Sequence, residues 1–192
     1  MTSHILKVAL AHVRPPIWRR LCVPSNTTLD VLHAALQTAF GWEGRHRHEF
    51  QAGEVRYGVP DAGDDAPAGL LDEADVSLAD VLPRKSSSLD YVYDFGDFWM
   101  HHVTVERIEA DSLAGNRSLR PRRRSDVIDC LDGARSGPPE NCGGPAGYAD
   151  FLKSMDFMNH AEHADSKEWV GGDFDPELCN IADINRRLAA LT

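Results

Sequence analysis

The first residues of the chain alternate between apolar and polar positions and predict a β-hairpin. Residues 4–13 place apolar side chains on both sides of the alternation, which is typical of a strand buried on both faces. Pro15 and Pro16 interrupt this pattern, because proline cannot donate a hydrogen bond to a sheet, and residues 17–23 resume it. The two segments are therefore expected to pair with each other across a turn.

A helix is predicted directly after the hairpin. Thr27 and Asp30 form a pair similar to a capping box at its start, and Gly41 provides a stop. Apolar residues recur between them at near-helical spacing: Leu29, Leu32, Leu36 and Phe40. A ubiquitin-like fold begins with this order of two strands and a helix, and so do many unrelated α+β folds.

The middle of the chain alternates short strand patterns with polar connections. Strands are predicted at residues 46–50, 54–57, 91–95 and 101–108, with a short ordered segment at 76–82. Two connections differ from the rest in charge. Residues 60–75 contain six acidic side chains and are expected to form a solvated loop, and residues 109–125 form an arginine-rich connection.

Helical patterns fill the last third of the chain. One helix is expected near residues 148–155, a second at 161–170 ends before Gly171, and Asn180 is an N-cap candidate for a final helix. Strands that precede helices in this way indicate an α+β fold, with a mixed or antiparallel sheet and the C-terminal helices packed on it. The sequence shows no internal repeat, and we expect residues 1–192 to form a single domain.

Composition and charge narrow the classes of function. The chain has 192 residues, of which 42% are apolar and 26% charged, and its net charge is −10. Residues 125–192 carry thirteen acidic and five basic side chains, which argues against nucleic-acid binding there and predicts weak DNA binding at most. No signal peptide or membrane-spanning run is visible. We therefore expect a cytoplasmic protein with no membrane contact and with four reduced cysteines.

Several motifs, in chain order, carry a resemblance to a known family. They comprise residues 14–24, the pairs Leu32-His33 and Gly41-Trp42, His46-x-His48-x-Phe50, Tyr93-Asp94-Phe95-Gly96-Asp97 with Trp99-x-His101, Pro138-Pro139-Glu140-Asn141-Cys142-Gly143-Gly144, and Gly171-Gly172-Asp173-Phe174-Asp175-Pro176. Together they resemble the plasmid pRiA4b ORF-3-like family along nearly the whole chain. The resemblance implies an α+β fold and an association with plasmids and transposable elements, but no specific activity.

Two features limit what the resemblance implies. Some members carry a resolvase label, but a serine recombinase needs an N-terminal nucleophile with activating arginines, and neither Ser3 nor Ser25 stands in such a setting. Members often have a cysteine directly before the Pro-Pro-Glu run, where this chain has Gly137. A metal site that needed this cysteine would be lost or altered.

Histidines and cysteines suggest a candidate metal site. His46 and His48 share one face of a predicted strand, His101 lies on another strand, and imidazole is a common metal ligand. Cys130 and Cys142 flank a glycine- and proline-rich segment that we expect to be an ordered loop. The five residues are a candidate zinc site, although no C-x-x-C pair supports it, and no cofactor is established by the sequence. The alternative is that His48 and His101 are buried and hydrogen-bonded beside aromatic residues.

An aromatic and histidine-rich centre suggests a binding groove. Its expected members are Trp42, His48, Asp94, Asp97, Trp99 and His101. We expect His48, Trp99 and His101 to be partly buried and within contact distance of one another. Asp94-Phe95-Gly96 matches a kinase motif, but no phosphate loop or catalytic loop accompanies it. A turn in which Gly96 takes a positive φ is therefore favoured.

Three further features have two interpretations each. His160 and His163 lie on one side of a helical turn and are potential ligands. The arginines of residues 117–124 would hold phosphate or an acidic partner, or would simply be solvated. Asp173 and Asp175 would act as a carboxylate pair or form a turn before the last helix, and the turn is favoured.

These candidates support three hypotheses for function. The leading one is a non-enzymatic binding or accessory module of mobile-element origin, with a protein or small molecule as ligand, because no nucleophile, base and orienting group occur together. The second is a metal-dependent hydrolytic enzyme that uses the histidine and cysteine cluster, with Asp94 or Asp97 as base. The third is a nucleic-acid-binding protein that uses basic residues of the N-terminal region: Arg14, Arg19, Arg20, Arg45 and Arg47.

Overall fold

The computed structural model describes residues 2–60, 69–110, 127–156 and 163–191, and its described strands form one sheet. The strands are Thr2–Leu10 (β1), Trp18–Pro24 (β2), His48–Ala52 (β3), Val55–Gly58 (β4), Leu70–Asp72 (β5), Ser88–Tyr93 (β6), Trp99–Ala110 (β7) and Asp129–Ala134 (β8). The helices are Leu29–Phe40 (α1), Leu78–Val81 (α2), Gly144–Asp156 (α3), His163–Val170 (α4) and Ile181–Leu188 (α5). A 3₁₀ turn covers Glu73–Asp75.

The eight strands follow the order β5-β4-β3-β6-β7-β1-β2-β8 across the sheet. All neighbouring strands are antiparallel except β4 and β5, which run parallel. The predicted hairpin is confirmed, since β1 pairs with β2 from Ser3 opposite Pro24 to Ala9 opposite Trp18. The α+β fold class is likewise confirmed, with a mixed sheet and the C-terminal helices packed on it.

The two faces of the sheet have different chemistry. One face carries the apolar side chains that pack beneath α1, including Leu6, Val8 and Val103. On the other face Arg20 donates to Glu106 at 2.7 Å and to Asp132 at 2.8 Å. The first face therefore holds the core, as alternation along an antiparallel strand allows.

Helix α1 begins and ends close to the predicted residues. Its N-cap is Thr28 rather than Thr27, and the Thr28 hydroxyl contacts Asp30 instead of a backbone amide. The predicted stop is confirmed: Gly41 adopts a left-handed φ of 87°, and its N–H donates to the Gln37 carbonyl at 2.9 Å. A side chain at this φ would be strained, which explains why glycine ends the helix.

The C-terminal predictions agree with the structure where it describes the chain. Asn180 is the N-cap of α5, with its side chain accepting from Asp183 N at 3.0 Å. Helix α4 ends before Gly171, as expected. Asp175 accepts from Glu177 N at 2.9 Å, which agrees with a turn before α5. No helix among the described residues is long and apolar enough to cross a membrane.

Three local predictions are wrong. Part of the acidic segment is ordered, because β5 pairs with β4 and the Glu73 side chain is buried. The segment after Cys130 begins in strand β8 and not in a loop. In the turn after β6 the positive φ belongs to Asp94 (58°) and Phe98 (56°), and not to Gly96. Asp94 tolerates this conformation because its side chain accepts from Gly96 N at 2.9 Å.

The loop that follows β8 is held against the end of α1. The Trp42 indole N–H donates to the Pro138 carbonyl at 2.8 Å. A Cβ at Gly137 would lie 1.9 Å from the Phe40 carbonyl oxygen, so this position admits only glycine. The cysteine that the resemblance implies at this position would not fit this backbone. Residues 111–126, which contain the arginines of 117–124, and residue 160 lie outside the described residues.

Candidate binding site

A cavity of about 700 Å³ opens beside strands β3 and β4. Its lining includes three histidines and three arginines: His33, His46, His48, Arg45, Arg47 and Arg56. Glu49 is the acidic residue of the described lining, and Val59, Pro60, Leu70 and Phe95 add apolar surface. The cavity volume is in the range of small-molecule sites.

Two histidines stack at the inner wall of this cavity. The rings of His33, from α1, and His48, from β3, have centroids 3.5 Å apart and are nearly parallel. His48 Nε2 lies 2.8 Å and 3.0 Å from the two carboxylate oxygens of Glu73. Because Glu73 is only 3% exposed, its carboxylate needs this partner. The 3₁₀ turn thus fixes the imidazole of β3 through a buried acid.

A chain of hydrogen bonds fixes the protonation of His33. Gln37 Oε1 accepts from the Gly44 N–H at 2.9 Å, which orients the amide so that Nε2 donates to the Tyr91 hydroxyl at 2.8 Å. Tyr91 therefore turns its own proton toward His33 Nδ1, 2.7 Å away. His33 is left with its proton on Nε2, which is available as a donor at the cavity wall.

Burial keeps this histidine neutral. The pKa of His33 is lowered to about 3, first by burial and then by the neighbouring His48. Burial also raises the pKa of Tyr91 well above its ordinary value, so its phenol stays protonated. The pair therefore supplies one fixed hydrogen-bond donor, the Nε2–H of His33, rather than charge at neutral pH.

A second group lies beside the outer part of the cavity. His46 Nε2 is 3.6 Å from Asp94 Oδ2 and 3.7 Å from Glu140 Oε2, and it has no hydrogen-bond partner. Glu140 is held in place because its Oε1 accepts from Tyr93 Oη at 2.9 Å and from Glu43 N at 3.0 Å. Three separate segments of the chain therefore meet around one imidazole.

Comparison with known proteins identifies the family. The model of the plasmid pRiA4b ORF-3-like family matches residues 2–183. The chain belongs to this family. The uncharacterized protein y4hQ of Sinorhizobium fredii is 36% identical over 185 residues, which cover 94% of this chain and 88% of that protein. A crystal structure of MM3350, a protein of unknown function from Methanosarcina mazei Go1, has a TM-score of 0.78 at 32% identity and covers 95% of this chain and 97% of its own.

The family motifs account for much of the candidate site. His46 comes from the first motif, Asp94 from the central motif and Glu140 from the third, and the fold brings them together. Asp97 accepts from Gly143 N at 3.0 Å and so links the central and third motifs. These contacts show that the motifs of this family support one corner of the fold.

The six residues of the predicted groove are divided by the structure. Trp42, Trp99 and His101 contact one another in the core, where they are 5%, 1% and 0% exposed. Asp94 and Asp97 lie in the turn after β6, and His48 lines the cavity. His48 and His101 share a face of the sheet, but Tyr91 lies between them and contacts both rings.

The five predicted metal ligands are not brought together. His48 binds Glu73, His101 is buried in the core, and no three His, Cys, Asp or Glu side chains of the described residues are arranged to hold a metal ion. Burial raises the pKa of Cys130 to about 11 and that of Cys142 to about 12, so both thiols are protonated at neutral pH. The candidate zinc site is not supported, because its five residues are not assembled among the described residues.

The basic residues expected to contact nucleic acid are also dispersed. Arg19 is buried, and Arg20 is paired with Glu106 and Asp132 on the polar face. Arg45 and Arg47 line the cavity, and Arg14 is exposed. A buried guanidinium cannot contact a phosphate backbone without rearrangement of the fold.

Sequence reasoning missed four residues that build the site. His33 and Gln37 lie four positions apart in α1, so two polar side chains on the buried face of an apolar helix were an available signal. Tyr91 was assigned only to a strand. Glu73 lay within a run of acids, where no pattern separates a buried carboxylate from solvated ones.

Proposed function

We propose that the protein is a binding module of its plasmid-associated family and that it holds a small organic anion in the cavity beside His33 and His48. The observation that carries this proposal is the charge of the lining. Three arginines and one glutamate line the cavity, whereas the whole chain has a net charge of −10. A local concentration of cations in an acidic protein favours an anionic ligand.

Two of the cavity arginines, Arg45 and Arg56, are held by ion pairs in which the arginine side chain itself is exposed. Arg56 contacts Glu49 at 2.6 Å with 41% of its side chain exposed, and Arg45 pairs with Glu43 with 64% exposed. Exposed ion pairs contribute about 0–1 kcal/mol, so exchanging one for a ligand carboxylate or phosphate costs little. A guanidinium also offers two parallel donors to such a group.

The apolar part of the lining indicates that the anion carries an organic group. Phe95 is 52% exposed and Val59 is 65% exposed, so both present apolar surface at the cavity. The His33 N–H adds a neutral donor at the inner end. We therefore infer a ligand with an anionic end for the arginines and a flat or apolar body for Phe95.

Calorimetric titration with matched probes tests the proposal. Phenyl phosphate and benzoate represent the anionic aromatic class, and phenol and benzamide are their neutral counterparts. We expect saturable binding of the anions alone, weakened about tenfold in Arg45→Gln and in Phe95→Ala. Arg107→Gln is the matched control, since Arg107 is also an exposed, paired arginine but does not line the cavity. Equal heats for anionic and neutral probes would contradict the proposal.

Acid–base catalysis in the same cavity is the second candidate function. It is favoured by the contact of His48 with Glu73, because a buried carboxylate that orients an imidazole is a common arrangement of a general base. Turnover of 4-nitrophenyl phosphate or 4-nitrophenyl acetate would support it, if Glu73→Gln abolished turnover while phenyl phosphate affinity persisted. If the anions bind without turnover, only the binding function is supported.

A further inference from the structure

A second cavity of about 300 Å³ lies at the other end of the sheet, where β2, the end of α1 and the start of α5 meet. We propose that it binds a small carboxylate with a short aliphatic chain, held between Arg19 and Arg187. This site is independent of the proposed function, because none of its lining residues lines the larger cavity.

Arg19 is a buried cation without an acidic partner. The residue is 2% exposed, and its Nε donates to the Ala39 carbonyl at 2.9 Å. Its Nη1 donates to the carbonyls of Trp18 at 2.8 Å and Ala134 at 3.0 Å. Besides burial, the groups that affect its pKa are Cys179, Cys130 and Arg187. Carbonyl dipoles satisfy its donors and its guanidinium lies over the Phe40 ring, 5.1 Å from the centroid, but none of the ion pairs among the described residues joins Arg19 to a carboxylate.

The pKa of Arg19 reflects this situation. Burial lowers it from the ordinary value, and the nearby Arg187 lowers it further, whereas the two cysteines act in the opposite direction. An anion bound between the two guanidinium groups would remove both unfavourable effects. Nη2 is the nitrogen of Arg19 that the three carbonyl contacts leave for such a ligand.

The role of Arg19 at the end of α1 does not account for the cavity. Contact with the Ala39 carbonyl satisfies the helix C-terminus and needs only Nε.

The second cation, Arg187, lies on α5 and is 44% exposed, with its Nε 3.2 Å from Asp183 Oδ2. Asp183 also lines the cavity and contacts Arg186, so its single negative charge is shared.

The remaining walls set the nature of the ligand. Ser136 and Asn180 are polar, but most of the other side chains are apolar and include Phe40, Pro138, Val170, Phe174, Leu178 and Ile184. Leu178 is 55% exposed, so apolar surface remains uncovered at the cavity. The volume suits a few carbon atoms beside the charged group. A short-chain carboxylate satisfies the cations and the apolar wall together, whereas inorganic phosphate satisfies only the cations.

Cys179 lines this cavity and offers a reporter for the test. Iodoacetate and iodoacetamide have similar size and react alike: the thiolate sulfur forms the S–C bond, iodide leaves, and the thiol proton passes to solvent. Only iodoacetate is an anion. The ratio of their rates at one thiol therefore measures local attraction for a carboxylate, independently of the ionisation of that thiol.

Cys142 is the internal control, because it is also partly exposed but lies near Asp97, whose charge raises its pKa further after burial. We expect the iodoacetate-to-iodoacetamide ratio to be at least about tenfold higher at Cys179 than at Cys142, measured by peptide mass spectrometry. Butyrate should protect Cys179 in a saturable manner, and phosphate should protect it less. Equal ratios at the two thiols, or no protection by butyrate, would overturn the proposal.

Variants on α5 separate the site from general stability. Arg187→Gln should reduce the ratio at Cys179 severalfold without unfolding the protein, since its side chain is partly exposed. Arg186→Gln is the matched control on the same helix, with its side chain 78% exposed and outside the cavity. Butyrate titration followed by the amide NMR signals of Gly137 and Asn180 gives a second measurement that does not depend on thiol reactivity. Unshifted signals at saturating butyrate would count against the site.

Discussion

Asn185 binds both backbone groups of Cys130. Its Oδ1 accepts from Cys130 N at 2.6 Å, and its Nδ2 donates to the Cys130 carbonyl at 2.9 Å. Cys130 lies in β8, the last strand at one edge of the sheet. An edge strand exposes unpaired amides and carbonyls, and here one side chain of α5 replaces a neighbouring strand at that position. The contact also anchors the helix that borders the smaller cavity.

Replacing this side chain should destabilise the fold without altering the core. In Asn185→Ala two buried backbone groups lose their partners, and we expect the free energy of unfolding to fall by about 1–3 kcal/mol. Urea denaturation followed by circular dichroism measures the change. Arg186→Ala serves as control, because an exposed ion pair contributes about 0–1 kcal/mol. Equal stability of the two variants would show that Asn185 is dispensable.

The close approach of Gly137 to the end of α1 leads to a second prediction. Gly137→Ala should destabilise the protein by about 1–3 kcal/mol or more, because its Cβ would overlap the Phe40 carbonyl at 1.9 Å. Gly58→Ala is the control, since a Cβ there meets its nearest atoms at 3.4 Å. Thermal unfolding compares the two variants. A fully stable Gly137→Cys protein would mean that the loop moves easily and that the family cysteine is compatible with this backbone.

Local sequence patterns predicted where strands and helices lie better than they predicted which strands pair. The hairpin, α1 and the N-cap of α5 followed from proline, glycine and asparagine positions, each of which acts through the adjacent backbone. Strand β8 was missed because its residues, Asp129–Ala134, pair with β2 more than a hundred positions earlier. Nothing in a short polar segment reveals such a distant partner.

The candidate site was harder to predict for the same reason. His48 was singled out from the sequence and lines the cavity, but its partner Glu73 comes from a segment whose acidic composition indicates solvent exposure. Trp99 and His101 were expected at a groove because aromatic and histidine side chains often bind ligands. In the structure they are instead buried beside Phe40 and Trp42, where their apolar area adds to the core and no ligand can reach them.

Duplex DNA should bind only weakly. The net charge of −10 opposes binding to a phosphate backbone, and Arg19 is buried. We expect a dissociation constant in the non-specific range of about 10⁻⁴–10⁻⁶ M at physiological salt. Fluorescence anisotropy with a labelled duplex measures it. Nanomolar, sequence-selective binding would overturn both this prediction and the preference for a small anionic ligand.

The buried histidine His101 should make stability depend on pH. Burial lowers its pKa from 6.5 to about 3, although its Nδ1 lies 3.0 Å from the Trp99 carbonyl. The folded protein therefore keeps this imidazole neutral, whereas the unfolded chain takes up a proton as the pH falls below 6.5. Because the unfolded state binds more protons, the free energy of unfolding decreases as pH falls from about 6.5 toward about 3.

Each such histidine contributes a slope of about 1.4 kcal/mol per pH unit within this window. His33, whose pKa is also lowered to about 3, adds to the total slope in the unmodified protein. We expect His101→Phe to reduce the slope by the contribution of one histidine, as measured by urea denaturation at a series of pH values. His102→Asn is the control, because His102 follows in the same strand but points to the solvent face, with 56% of its side chain exposed. An unchanged slope in His101→Phe would show that this imidazole is protonated in the folded protein.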